Sequence, residues 1–455
     1  MDPLLLWDVL RIRRSLRRRD GWSRLQIERH RAARVAALRA HTLSRSPFYR
    51  RFHGGLENRP LQDLPVLTKA QLMASFDDLV TDRRIRLADA RSHMDALGGD
   101  DRYLGRYVVG ATSGASGHPG LFLWDRIEWA TVIASFARAT DWAGLRLEPF
   151  RRVRTAVVSS RAMRHVSARV GLSVDSPFVP TLRLDATMPV SDLVTALNAF
   201  RPASLVAYAS MLPILAREQV EGRLRIRPRF VFASSEVLPP DVRRRVWDAW
   251  GTWPFEVYAA TETAGIASEC EHHAMHLYED LVVAESVDEA GNPVPEGEAG
   301  ARLLVTVLFS RTQPLIRYAL DDRVRLAPGE CPCGRPFRLV ASVEGRQEDV
   351  LQLAGNGGQL VPVHPNVFHD VLDALPLTGW QVIEEGDGLR VLLAGGDAAP
   401  ADGVAELLGA ALAAIGLPGI RVTVESVPAI PRTALGKAPL VRRADGGGAT
   451  RGGQA

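Results

Sequence analysis

The chain has 455 residues, 46% hydrophobic and 24% charged, a globular composition long enough for roughly two to four domains. No run of ~20 apolar residues occurs, which excludes a transmembrane helix, and three cysteines exclude a disulfide scaffold. A net charge of +4 is too small to call for nucleic acid. The apolar opening Met1–Leu10 is short and no A-x-A cleavage site follows it, so a cytoplasmic, enzyme-sized protein without a signal peptide is expected.

Residues 1–50 hold 13 arginines against four acidic residues, an excess of +9 in a chain whose total is +4. The simplest account is a set of Arg-rich amphipathic helices with stems along the protein and heads in water. A peripheral membrane or other anionic partner is the alternative. All but two of the 56 basic residues are arginine; the exceptions are Lys69 and Lys437. Against such a background a lysine marks a place where a compact ammonium serves better than a planar fork. Lys69 follows Thr68, a natural N-cap, and reads as an early helical residue.

Trp22, Leu25, Val35, Leu38 and Leu43, set between arginines, predict an amphipathic helix over 22–43, broken at Ser46-Pro47-Phe48-Tyr49. Residues 106–111 predict a strand that enters a Gly/Ser loop, followed by a helix over 125–140. Strand-like runs at 154–159, 204–209, 230–233 and 255–258 alternate with helix-like runs at 191–200, 211–221 and 240–250. That alternation predicts an α/β body with a largely parallel sheet. Strands and turns fill 280–325, with turn chemistry at Gly291-Asn292-Pro293 and Pro295-Glu296-Gly297. A boundary is expected near 346–350. Beyond it a strand at 349–353, a helix at 365–375, strands at 379–384 and 388–394, a helix at 401–415 and a strand at 420–427 predict a small ferredoxin-like α+β unit. The Gly-rich residues 444–455 predict a disordered tail.

Two segments carry chemistry. In Ala111-Thr112-Ser113-Gly114-Ala115-Ser116-Gly117-His118-Pro119-Gly120 a strand runs into hydroxyls and glycines. Glycines let the backbone wrap closely, and hydroxyls and N–H groups donate to phosphate oxygens. The Gly-Lys-Ser/Thr ending of a Walker A loop is missing. Tyr258-Ala259-Ala260-Thr261-Glu262 lies at the end of a predicted strand, where open α/β sheets bind ligands. The ring of Tyr258 can stack on a base, Thr261 can bond phosphate and Glu262 can hold Mg2+.

All three cysteines fall in two clusters, Cys270-Glu271-His272-His273-Ala274-Met275-His276 and Cys331-Pro332-Cys333-Gly334. Tetrahedral Zn2+ takes four Cys/His ligands, and Cys270, His276, Cys331 and Cys333 would complete a closed, structural site. His272 or His273 could take the place of His276.

The loop resembles the Ser/Thr-Ser-Gly-Thr-Thr-Gly-x-Pro signature of the adenylate-forming superfamily, the acyl- and aryl-CoA synthetases. Tyr258 to Glu262 resembles its Tyr-Gly-x-Thr-Glu motif. Arg317-Tyr318-Ala319-Leu320-Asp321-Asp322 resembles its Arg-Tyr-Arg-Thr-Gly-Asp segment, and Val343-Glu344-Gly345-Arg346-Gln347-Glu348-Asp349 its Gly-Arg-x-Asp-Asp hinge. Pro431 to Lys437 resembles its C-terminal Gly-Lys loop, and Ala233-Ser234-Ser235-Glu236 stands where the family has its adenine segment. Order and spacing agree over about residues 45–443. Length, N-terminal helices and Cys331-Pro332-Cys333-Gly334-Arg335 fit the phenylacetate–CoA ligase-like branch, some members of which carry a similar Cys/His pattern. Departures are Ala115 for the first loop Thr, loss of the usual Lys near His118, Asp321 for Gly, Ala319-Leu320 for Arg-Thr, and Ala259 for Gly.

The resemblance implies Arg-rich helices at 1–45, a large multi-sheet adenylating body at 46–347 with the zinc-bearing segment at 270–335, and a small mobile domain at 348–443. It implies an ATP- and Mg2+-dependent ligase that makes acyl-AMP and pyrophosphate and then transfers the acyl group to CoA. Thr112, Ser113, Gly114, Ser116 and Gly117 would hold the pyrophosphate part, and Glu236 and Tyr258 would border adenine. Thr261 and Glu262 would hold phosphate and Mg2+, and Asp322 with Arg346 the ribose. Asp349 would be the hinge, and Lys437 would bridge acid and α-phosphate. Phe136, Trp142, Tyr208, Ser210, Ser235 and Ala259 are candidates for the acid pocket, whose aromatic content suits an aryl or arylacetic acid as well as it suits core packing. An amine acceptor, a stand-alone adenylyl transfer, or a non-catalytic zinc-bearing interaction protein are the other functions weighed, and a homodimer is a possible assembly.

Overall fold

The computed structural model describes residues 2–97, 101–112, 120–146, 152–161, 165–346, 351–355, 359–363, 366–372, 375, 377, 379–386, 388–395, 401–432 and 438–443. Two long helices open the chain, Pro3–Arg19 and Arg24–Arg45. Pro3 starts the first, where its missing N–H costs nothing, and Ser23 with Gln26 forms a capping box for the second.

The arginine excess of these helices meets carboxylates of the body. Asp141 accepts from Arg13 and Arg17, each through Nε at 2.9 Å. Glu279 accepts from Arg24, Arg31 and Arg338. Asp280 accepts from Arg19 at 3.2 Å and from both terminal nitrogens of Arg138, at 2.6 and 2.9 Å. Arg138 and Asp280 are 1% and 2% exposed. Burial alone would raise the Asp280 carboxyl, yet Arg138 holds it below its ordinary value. The Arg138 guanidinium also lies over the rings of Trp142, Tyr278 and Phe337, 5.1–5.3 Å from their centroids.

A nine-stranded sheet forms the centre of the body. Its order is Asp322–Ala327, Leu339–Arg346, Met275–Leu277, Ala264–Glu269, Phe255–Ala260, Phe230–Ser234, Ser204–Tyr208, Thr155–Ser159 and Thr181–Asp185. The last five are parallel to one another, as expected for strands joined through helices such as Val190–Phe200, Leu212–Val220 and Pro240–Trp250. The remaining pairings are antiparallel, so the sheet is less uniformly parallel than the strand–helix alternation predicts. The reversal comes at Phe255–Ala260, and only the turn at Thr261–Thr263 connects it to the next strand. A crossover to a parallel neighbour needs about a dozen residues or more.

Three further strands, Val282–Val287, Arg302–Val307 and Tyr318–Leu320, make a separate antiparallel sheet. The Gly/Ser loop does not lead straight into a helix. Val108–Ala111 pairs with Leu121–Trp124 as an antiparallel hairpin, and the helix Arg126–Trp142 starts after the second strand. All four residues of Leu121–Trp124 are buried, and with no polar alternation to mark it this strand has no periodic signal in the sequence.

In the C-terminal part, Gly379–Glu385 and Gly388–Ala394 form a hairpin, with Arg421–Val427 parallel to the second strand and Val441–Arg443 parallel to the first. The predicted opening strand is Leu351–Ala354, but it pairs with Leu360–Val363 in its own hairpin and the edge beside Gly379–Glu385 goes to Val441–Arg443. Phe368, Leu372, Val382, Val391, Leu408 and Leu412 are among the buried residues of a separate hydrophobic cluster here.

Removing one member of a buried ion pair leaves the other charged and unsolvated, at a cost of about 3–5 kcal/mol. Asp280→Ala is therefore expected to lower unfolding free energy in urea by about that amount. A loss below about 1 kcal/mol, the level of a surface pair, would contradict the role given to Asp280.

Candidate active site

The site is built where the parallel half of the sheet ends. Register aligns Tyr208 with Ser234, and Ser234 with Val257, so the carboxyl ends of three neighbouring strands open side by side. A ladder irregularity between Tyr258 and Ala259 sits at that edge. Such irregularities re-aim side chains, and here the Tyr258 hydroxyl donates to Asp322 Oδ2 at 2.7 Å. Asp322 is buried and Asp321 exposed, so the carboxylate brought to Tyr258 is the one the sequence favours. Glu262 follows on the turn, buried, with the Tyr318 hydroxyl 3.5 Å from its Oε1. Thr261, on the same turn, is half-buried.

Glu236 ties two elements together. Its Oε2 accepts from the backbone N–H of Ser210 at 2.8 Å, and its Oε1 from that of Ala438 at 3.2 Å. Arg432 donates to the Ser210 hydroxyl at 3.2 Å and to the Ser210 carbonyl at 3.3 Å. Arg432 and Ala438 are thus both fastened to the strand-end loops that carry Ser210 and Glu236. Burial lowers the Arg432 guanidinium from its ordinary value, and the charge of Glu236 opposes that shift.

The hairpin neck is closed by Thr112. Its N–H donates to the Gly120 carbonyl at 2.9 Å, and its hydroxyl accepts from the Gly120 N–H at 2.8 Å. A Cβ on Gly120 would lie 2.9 Å from the Phe122 ring and 3.3 Å from Lys69 Cε, so only glycine fits without displacement. Lys69 opens a helix behind Thr68, as the sequence implies, but its side chain also reaches the base of this loop.

Of the residues named for the acid pocket, Tyr208 is buried and its hydroxyl accepts from the Ser160 N–H at 2.9 Å, while burial pushes its phenol up to about 12. Phe136 is half-buried between two hydrophobic clusters, on the helix that packs against this sheet. Ser235 is exposed with φ +69°, a left-handed conformation seldom held by a non-glycine residue. Ala259 is half-buried at the irregularity. Trp142 is elsewhere: its indole N–H donates to Asp20 and its ring meets His276 edge-on at 5.7 Å. Ser113, Gly114, Ser116, Gly117, Asp349 and Lys437, and the side chain of Arg346, lie outside the described residues.

Cys270, His276, Cys331 and Cys333 converge, with their four ligand atoms all within 4.8 Å of one another. A tetrahedral ion with Zn–S near ~2.3 Å and Zn–N near ~2.0 Å has S···S edges of about 3.8 Å and S···N edges of about 3.5 Å. Cys270 Sγ is 3.7 Å from Cys331 Sγ, and Cys333 Sγ is 3.3 Å from His276 Nε2. His276 Nδ1 donates to the Phe337 carbonyl at 3.3 Å, which leaves Nε2 free to act as the ligand. His273 is turned away, 3.2 Å from Glu269 and stacked on Phe255. Burial pushes the Cys270 thiol up to about 12.

Sequence reasoning did not find Tyr318 as the neighbour of Glu262, or Arg432 as the anchor to Ser210. Both stood inside quoted motifs, but their partners are distant in sequence.

The described site thus brings together a hairpin neck closed by Thr112, a strand-end Tyr258–Asp322 pair, Glu262 on the following turn, and Arg432 and Ala438 fastened to neighbouring strand-end loops. No protein-family model matches the chain. Among curated proteins it is 28% identical over 205 residues to a phenylacetate-coenzyme A ligase of Thermus thermophilus, covering 43% of this chain and 45% of that protein. It is 20% identical over 304 residues to protein CapK of Staphylococcus aureus, covering 65% of this chain and 61% of that protein. The chain thus spans less than half the length of the Thermus relative. Among solved structures, 2-hydroxyisobutyryl-CoA ligase in its postadenylation state has a TM-score of 0.73 at 21% identity, over 94% of this chain and 92% of that one. The same ligase in its thioesterification state has a TM-score of 0.58 at 21% identity, over 94% and 92%. The fold of the chain is thus similar to that of the solved 2-hydroxyisobutyryl-CoA ligase, and part of its sequence is similar to phenylacetate-coenzyme A ligases.

Glu236→Ala is expected to loosen the segment between Arg432 and Ala438. Trypsin should then cut after Arg432 several-fold faster than in the wild type under native conditions. An unchanged rate would mean that Glu236 does not hold this segment.

Proposed function

We propose that the chain is an AMP-forming acid–thiol ligase that activates an aryl or arylacetic acid with ATP and passes the acyl group to CoA. The observation that carries this is the convergence of Tyr258–Asp322, Glu262 and the anchored residues Arg432 and Ala438 at one edge of the sheet. Adenylation brings a carboxylate against the α-phosphate, two anions, and so needs donors aimed at the charge that develops. The 433–437 segment ends in Lys437, whose compact ammonium can bridge the two. The 113–117 loop, with Thr112 closing its neck, would cradle the departing pyrophosphate. Tyr258 and Glu236 would border adenine. Asp322 would accept from the ribose hydroxyls, joined by Arg346.

Glu262 and the Thr261 hydroxyl make a small, hard donor set. It suits Mg2+, which keeps several waters and takes its other ligands from substrate phosphates. Phe136, Tyr208, Ser210, Ser235 and Ala259 would line the acid's side of the cleft. The greater similarity to the postadenylation form of the solved ligase supports reading this arrangement as the adenylating one. Residues 348–443 would then turn about Asp349 to admit the thiol, which attacks the acyl carbon while AMP leaves.

We assign Zn2+ to Cys270, His276, Cys331 and Cys333, in a structural role because no ligand position stays open. Three thiols kept for a metal suit the reducing cytoplasm.

ATP plus a suitable acid should yield AMP and pyrophosphate; ADP as the nucleotide product would refute the proposal. Lys437→Ala should slow pyrophosphate exchange by about 10²–10³-fold. It should spare thioester formation from a preformed acyl-adenylate, and Lys437→Arg should rescue poorly. Equal loss of both half-reactions in a folded variant would remove Lys437 from its role.

Metal analysis should find one Zn2+ per chain. Cys331→Ser should lower the thermal midpoint more than it changes the turnover of the enzyme that stays folded. A metal-free preparation of undiminished stability would contradict the assignment.

A further inference from the structure

The helix Pro3–Arg19 shows two unlike faces. The inner one, with Leu5, Asp8, Val9, Arg13 and Leu16, is buried. It is locked by polar contacts along its length. Asp8 pairs with Arg126, Arg13 and Arg17 with Asp141, and the Leu16 carbonyl with Arg138. The helix therefore cannot roll to hide its other face.

That outer face starts with large apolar side chains: Leu4 is 64% exposed, Trp7 68% and Leu10 49%. It continues with Arg11, Arg14, Arg17 and Arg18, all exposed. The one acidic residue exposed on this stretch is Asp2, whose carboxylate caps the helix by accepting from the Leu4 N–H. At ~1.5 Å per residue, an apolar block of ~10 Å is followed by a cationic block of similar length.

We propose that this face docks the protein on an anionic lipid bilayer. Leu4, Trp7 and Leu10 would enter the headgroup–acyl boundary, the depth at which an indole ring is at home. The arginines would lie along the surface and take lipid phosphates in their planar forks. A second copy of the chain fits worse. Two such faces brought together would gather arginines from both copies with almost no exposed carboxylate to meet them. Arg13 and Arg17 hold the helix through Asp141 and Arg11 reaches Asp8, while Arg14 and Arg18 of the outer face point to a partner.

The test is flotation of the full chain with phosphatidylcholine vesicles, with and without about one third phosphatidylglycerol. The wild type should float with the anionic vesicles alone, and high salt should release it. Each arginine near such a surface adds about fivefold in affinity, so Arg14→Glu with Arg18→Glu should weaken binding by ~25-fold or more. Trp7→Ser with Leu10→Ser should also abolish flotation, and both variants should keep the wild-type thermal midpoint because these residues are exposed. The proposal is overturned if the wild type ignores anionic vesicles or if both variants float as it does. It is equally overturned if light scattering finds a dimer that the variants dissociate and no lipid binding, since the face would then belong to a second copy.

Discussion

The turn at Thr261–Thr263 is the constraint on which the site depends. It is too short to carry the chain across the sheet, so the strand after Tyr258 must return beside it in the opposite sense. That return starts the antiparallel half of the sheet, whose outermost strand begins with Asp322. The hydrogen bond from Tyr258 to Asp322 spans 64 residues of sequence and is set by this reversal. The same turn leaves Glu262 at the sheet edge, against Tyr318. Ala264, which resumes the strand, is fully buried at φ +62°, a conformation costing on the order of 1–3 kcal/mol in a non-glycine residue. The surrounding packing imposes it.

Electrostatics join the other parts to this frame. Glu279 and Asp280 are adjacent and buried, and between them they accept from five arginines, three of which lie in residues 1–45. Desolvated carboxylates at these positions would be costly alone, and the N-terminal helices neutralise them. The helices are therefore part of the body's charge balance as well as a cover for it. Trp142 links the two ends of this region. It receives Arg138 on its ring and faces His276 of the Cys/His cluster, so helix docking and the cluster share one wall.

Much of this was legible in the sequence because the chemistry is local. Tyr258-Ala259-Ala260-Thr261-Glu262 sits at a strand end in both readings, and of the two adjacent aspartates the one the motif favours, Asp322, is the one buried against Tyr258. The clustering of every cysteine marked the Cys/His site, although three candidate histidines could be separated only by geometry, which selects His276. What the sequence hid was pairing at a distance. Leu121–Trp124 is buried on both faces and carries no alternation, so the hairpin under the Gly/Ser loop could not be read. The edge place of Val441–Arg443 depends on a parallel partner some 60 residues earlier. Arg432 looked like one basic residue among many until its contact with Ser210 gave it a position. Trp142 read as a pocket aromatic because composition does not say which side of a helix faces the cleft.

The central claim is that a carboxylate of the acid substrate attacks the α-phosphorus of ATP. An arylacetic acid labelled with oxygen-18 in its carboxylate, incubated with enzyme, ATP, Mg2+ and CoA, tests it directly. One carboxylate oxygen forms the bond to phosphorus and stays there when the thiol displaces AMP. Mass spectrometry should therefore find one labelled oxygen in the AMP and none in the pyrophosphate. Thioester formation with unlabelled AMP, or label in any other phosphate product, would contradict the account.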